Sequence, residues 1–136
     1  MKTENTVIVV NATAAITTGA LTLLQDFVEN LVNGQFKVFI FCCVDLQVAD
    51  ITNVKLIKLK KKSYLERVIW DYYKFRKHVI KLELQPSLIM SFQNTGVVYN
   101  KSVPQLIYYH NSIPLINKTW NPLKRNERIL WFYAKI

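Results

Sequence analysis

Three short stretches hold the side chains best able to do chemistry. They are Asn11 to Ala20 (NATAAITTGA), the turn Gln93-Asn94-Thr95-Gly96, and His110-Asn111. Each follows an apolar, β-branched or aromatic run and ends it in amides, hydroxyls or an imidazole. Neutral donors and acceptors of this kind match the hydroxyl and phosphate oxygens of polyhydroxylated or phosphorylated molecules. His110 is the one residue among them that exchanges a proton near neutral pH. No Ser-His-Asp set, thiol nucleophile or His/Asp/Glu metal cluster can be assembled around it. Each residue also has an ordinary reading, Asn94 as a turn former and His110 as a polar strand end.

The elements that must position these residues are legible in order. Val7–Val10 reads as a strand apolar on both faces, as a strand covered by helices on both sides requires. Thr17 or Thr18 can cap the helix that follows, and Gly19 lets the backbone approach a ligand. In that helix Leu21, Leu24, Val28, Leu31 and Val32 recur at three- and four-residue steps, and Asn33-Gly34 closes it. Thr18-Gly19-Ala20 then lies where backbone N–H groups and a positive helix end face the carboxyl edge of a parallel sheet. A tight turn with no ligand explains one glycine equally well, since neither GxGxxG nor GxxxxGK[ST] is present.

Further strands are expected at Phe36–Val44, at Val54 to Lys60 on an edge, at Ser87–Asn94 and at Val103–Asn111. Between the third and fourth, Ser63 and Glu66 form a capping box for a helix from Tyr64 to Leu84. Its periodicity turns Leu65, Val68, Tyr72, Phe75, Val79 and Leu82 inward. Arg67, Trp70, Lys74, Lys77 and Lys81 fall on the opposite face, with His78 beside them and no role for it. Residues 126–136 begin another amphipathic helix that stops without a cap, as if the natural chain continued. Strands alternating with helices predict an α/β fold, a parallel sheet sandwiched by helices, with all carboxyl ends on one edge.

Composition narrows the function classes. Half of the 136 residues are apolar, with three glycines and four prolines, which excludes a disordered or fibrous chain. Val7–Val10 is too short for a signal peptide and no run is long enough to span a membrane. Adjacent Cys42 and Cys43 cannot bridge readily and lack metal spacing, so both read as core thiols in a reducing, cytoplasmic setting. Residues 1–53 carry a net charge of −3 and residues 54–136 a net of +12. A basic half points to an anionic partner. Trp70 among cations suggests a membrane surface, which Lys58 to Lys62 would reinforce.

The strand leading to Thr18-Gly19-Ala20-Leu21, the segment Pro86-Ser-Leu-Ile-Met-Ser-Phe-Gln-Asn94, and Tyr108-Tyr-His110-Asn-Ser-Ile-Pro114 resemble a known family in order and spacing. It is the amino-terminal half of the group 1 (family 4) bacterial glycosyltransferases of the GT-B fold. These enzymes build capsule, O-antigen and other surface glycans from nucleotide-sugar donors, generally without a metal. The resemblance implies a Rossmann-like acceptor-side domain over residues 1–120, and in 121–136 the start of a helix leading to a donor-binding domain absent from this chain. It implies that Thr18, Gly19 and Ala20 lie near the donor phosphates, that His110 orients the transferred sugar, and that Asn94 and Asn111 line the acceptor side. The family loop commonly carries a glycine pair, whereas Thr18 precedes Gly19 here. The expected protein is thus a retaining glycosyltransferase, cytoplasmic and held at the inner face of the membrane, and inactive as this fragment alone. The alternative is a basic module that binds nucleic acid or an anionic membrane without catalysis. No nucleic-acid motif accompanies its aromatics, so nucleic acid is not the expected partner. A dinucleotide-dependent oxidoreductase is disfavoured by the single glycine of the turn.

Overall fold

The run with the densest β-branching takes the middle of the sheet. In the computed structural model, which describes residues 6–31, 36–47, 52–109, 119–128 and 131, β1 (Val7–Ala12) pairs in parallel with β2 (Lys37–Cys42) and with β4 (Leu88–Ser91). The strands β3 (Val54–Lys58) and β5 (Gln105–Ile107) form the edges, giving the Rossmann-like order β3-β2-β1-β4-β5. The chain works outward from β1 to β3, then returns to the other flank of β1 for β4. That reversal opens a crevice beyond the carboxyl ends of β1 and β4, where open α/β sheets take their ligands.

Strict alternation along the strands divides the core in two. Ile8, Val10 and Ala12 join Val38, Ile40 and Cys42 against α1 (Thr18–Glu29), which contributes Leu24 and Val28. Val9 and Phe41 face the other way, onto Trp70, Phe75 and Val79. Asn11 follows Val9 at the same two-residue step and continues that second face. It was expected to end the strand, yet β1 runs on to Ala12 and Asn11 is fully buried. The helix α1 closes at Asn30 rather than at Asn33-Gly34, which lie outside the described residues. Thr17 occupies the N-cap position but its side chain makes no capping hydrogen bond.

The second helical segment departs furthest from its expected form. Ser63 and Glu66 do exchange the two hydrogen bonds of a capping box at the start of α2 (Tyr64–Ile69). We expect Ser63→Ala to lower stability by about 1 kcal/mol in a denaturant titration, since it leaves an amide of the first turn unpaired. A π turn (Trp70–Lys74) then separates α2 from α3 (Phe75–Lys81). The Phe75 N–H reaches back five residues to the carbonyl of Trp70. The carbonyl of Asp71, which an α-helix would give to Phe75, accepts instead from Val98 N–H at 2.9 Å.

That extra residue resets the face. Leu65, Val68, Tyr72 and Leu82, expected inside, are exposed, Leu65 by 72% and Tyr72 by 62%. Trp70, expected on an exposed cationic face, is 1% exposed. Its indole packs edge-on against Phe41 and Phe75 at 5.4 and 6.0 Å between centroids. His78, also expected on that face, is half-buried against Trp70 at 4.9 Å. The periodicity assumed an unbroken α-helix; one widened turn puts α2 out of phase with α3, where Phe75 and Val79 are buried as expected.

Candidate functional site

The polar tips of β1 and β4 and the π turn meet in one buried hydrogen-bond network. Trp70 Nε1 can only donate, and it gives its proton to Asn11 Oδ1 at 3.0 Å. This fixes the Asn11 amide with its nitrogen towards Asp71, whose Oδ1 accepts at 3.0 Å. Gln93, just beyond β4, donates from Nε2 to Asp71 Oδ1 and Oδ2 at 2.6 and 2.7 Å. Thr13 Oγ1 lies 3.3 Å from Asn11 Oδ1 and 3.1 Å from Gln93 Oε1, so its single proton is shared between the two carbonyls. Thr95 Oγ1 adds a long contact of 3.4 Å to Asp71 Oδ2.

The π turn is what makes this possible. Two consecutive residues of the turn, Trp70 and Asp71, are both buried, and the Asp71 carbonyl that it releases is taken up by Val98 N–H. Asp71 is 8% exposed. Burial pushes its carboxyl above the ordinary value of 3.8, and the hydrogen bonds from Asn11, Gln93 and Thr95 and the charge of Arg67 act against that rise. A carboxylate has about four acceptor positions. Oδ1 takes two of them and Oδ2 the other two, one bond shared with Oδ1 and one long contact from Thr95 that a stronger donor could displace.

A cavity of about 440 Å³ opens above this network. Its floor is polar, made by Asp71, Gln93, Asn94 and Thr95. Its walls are aromatic and aliphatic, with Tyr64, Val68 and Tyr72 from the helix and Ile107 and Tyr109 from the β5 side. Asn94 sits in the left-handed region at φ 60°, which asparagine tolerates, and so turns the chain back over the floor. Gly96 is closely packed on the β5 side. A Cβ there would come within 3.1 Å of Gln105 Oε1 and 3.2 Å of Ile107. Gln105 uses both ends of its amide to hold the Val97 backbone, at 3.0 and 2.8 Å, and so locks the loop to β5.

Of the residues expected at the site, Asn94 lines the cavity and Arg67 does so too, half-buried rather than on an outer face. Thr18, Gly19 and Ala20 form the first turn of α1; Gly19 and Ala20 are not among the described lining residues, although Ala14 is. Gly19 is exposed, has open space where a Cβ would be, and needs no left-handed backbone. His110 and Asn111 lie outside the described residues. Among the described residues no three His, Cys, Asp or Glu side chains gather as metal ligands would.

Asp71 was not foreseen as a functional residue. The available signal was a single acid between Arg67 and Leu82, next to a tryptophan, in an otherwise basic helix. Neither cysteine is among the described lining residues, although Cys43 is near enough to Arg67 for that charge to act on its thiol. Burial pushes the Cys42 thiol up, as befits a core residue, and Cys43 Sγ lies 3.3 Å from the Lys60 carbonyl. Among the described residues no helix is long and apolar enough to cross a membrane. Comparison with protein-family models, with curated proteins and with solved structures finds no match.

Proposed function

We propose that this chain is the acceptor-binding half of a retaining glycosyltransferase that moves a sugar from a nucleotide-sugar donor to a surface glycan or lipid-linked acceptor. The observation that carries the reading is the cavity at the β1–β4 switch. It has a carboxylate and amides for its floor and tyrosines in its walls. Aromatic faces take the apolar side of a sugar ring, while amides and a carboxylate take its hydroxyls. The motif resemblance adds a donor-phosphate role for Thr18, Gly19 and Ala20 at the N-terminus of α1, and a sugar-orienting role for His110. Transfer depends on positioning and on stabilising the departing nucleotide, both of which call for a closed cleft with a second wall.

The expected result is that residues 1–136 bind sugars weakly and transfer none from a panel of nucleotide sugars. Sugar transfer by this chain alone, or absence of any sugar binding, would overturn the reading. In the longer enzyme proposed here, His110→Ala is expected to lower turnover far more than thermal stability. Unchanged turnover would remove His110 from the site.

A specific surface supports the peripheral membrane part of this reading. Lys60, Lys61, Lys74, Lys77 and Lys81 are exposed, and so are Leu65, Ile69, Tyr73 and Ile80. Cations beside exposed apolar and aromatic groups suit an anionic headgroup layer. Trp70 has no part in this surface. Binding to vesicles containing phosphatidylserine should fall steeply between low and physiological salt and be absent with pure phosphatidylcholine. Equal binding to both vesicle types would contradict it. Nucleic acid is not an expected partner.

A further inference from the structure

Arg67 is the one cation among the described residues that line the cavity. Its Nε is buried and has no hydrogen-bond partner. The guanidinium lies 5.8 Å from the Tyr64 ring centroid, which holds it against the cavity wall. Asp71, one helical turn away, faces Arg67 electrostatically, yet no ion pair within 4.0 Å joins them. The carboxylate is committed instead to Asn11 and Gln93. A buried guanidinium nitrogen with nothing to donate to is costly, so the group gains from a partner that neutralises its charge. The two terminal nitrogens, which are not sealed off as Nε is, form a planar edge that matches the two oxygens of a carboxylate or phosphate.

The remaining lining discriminates in a complementary way. The long Thr95 contact leaves Asp71 Oδ2 open to a stronger hydroxyl donor, while the carboxylate repels an anion. Gln93, Asn94 and Thr95 are neutral, and Tyr64, Tyr72 and Tyr109 offer ring faces. An anionic group therefore fits at the Arg67 end and a hydroxylated ring over the Asp71 end. We propose that the cavity selects an acidic acceptor, a sugar or cyclitol ring that carries a phosphate or carboxylate, with Arg67 pairing the anionic group and Asp71 Oδ2 accepting a ring hydroxyl. This rests on the sugar-handling role proposed above and narrows it to one class of acceptor.

Calorimetric titration of the 136-residue chain with methyl glucoside, glucose 6-phosphate, glucuronate and inorganic phosphate tests it. The two acidic sugars should bind at least about tenfold more tightly than methyl glucoside, the gain of one charge-assisted pair. Inorganic phosphate should bind more weakly than glucose 6-phosphate. Arg67→Gln should abolish the preference, and Arg67→Lys should restore part of it, because lysine keeps the charge without the fork. Lys37→Gln lies at the far end of β2, on the edge of the sheet opposite the cavity, and should keep the preference. Loss of the preference in that variant would reveal general attraction to a basic protein and overturn the inference. So would inorganic phosphate binding as tightly as glucose 6-phosphate. Equal binding of methyl glucoside and the acidic sugars would overturn it while leaving the sugar-handling role in place. Binding of none of the sugars would overturn both.

Discussion

Trp70→Ala is expected to destabilise the protein by about 3–5 kcal/mol, the cost of emptying a large site in a packed core. The indole fills the space between Phe41 and Phe75 beneath the sheet. It also supplies the donor that orients Asn11. The two contributions separate in Trp70→Phe, which keeps much of the ring and loses the N–H. That variant should lose less stability than Trp70→Ala but should still loosen Asn11, because Oδ1 then keeps only the shared proton of Thr13. Denaturant midpoints for the three proteins give the comparison. A Trp70→Ala protein as stable as the parent would mean that the indole does not lie in the core.

Asp71→Ala is the second large effect, and it acts on both stability and binding. Removing the carboxylate leaves the Asn11 and Gln93 amide nitrogens facing each other without an acceptor, at a cost of about 1–3 kcal/mol for each buried donor left unpaired. Sugar binding should weaken by about tenfold or more, since a hydroxyl loses a charged acceptor. The pH dependence has a definite sign. Because the folded-state pKa of Asp71 is raised, the folded protein holds this proton at a pH where the unfolded chain has released it. The contribution of Asp71 to stability is therefore most favourable below its ordinary value of 3.8 and declines as pH rises through the window above it. Asp71→Asn does not titrate and should lack that decline. A stability difference between the parent and Asp71→Asn that stays constant from pH 3 to pH 7, or moves the other way, would contradict the burial of this acid.

The strands and the parallel class were legible because apolar runs alternate with helical patterns, and the lysines of Val54 to Lys58 marked an edge. The order β3-β2-β1-β4-β5 was not, since Val7–Val10 and Phe36–Val44 are both apolar on two faces. The Ser63–Glu66 box was legible because capping is local. The π turn was not. Leu65, Val68 and Tyr72 form a sound α-helical stripe, and nothing in their spacing reveals that Phe75 bonds to Trp70 rather than to Asp71. What decides the turn is tertiary: an acid and an indole that Asn11 and Gln93 can satisfy together, and a Val98 amide that takes up the displaced carbonyl. The site was therefore half visible. Asn11, Gln93, Asn94 and Thr95 stood out as polar strand ends, whereas Asp71 lay in a helix whose periodicity gave it no role.

The central claim is that the cavity over Asp71 and Gln93 is where a hydroxylated ring binds. Mapping backbone and indole amide resonances of 15N-labelled protein during titration with glucose 6-phosphate tests it residue by residue. The account predicts shifts confined to Gln93–Val98, to Arg67–Tyr72 and to the Trp70 indole, with a smaller response at the first turn of α1. Shifts that follow the exposed lysines Lys60, Lys74, Lys77 and Lys81 and leave Gln93–Val98 unmoved would contradict it.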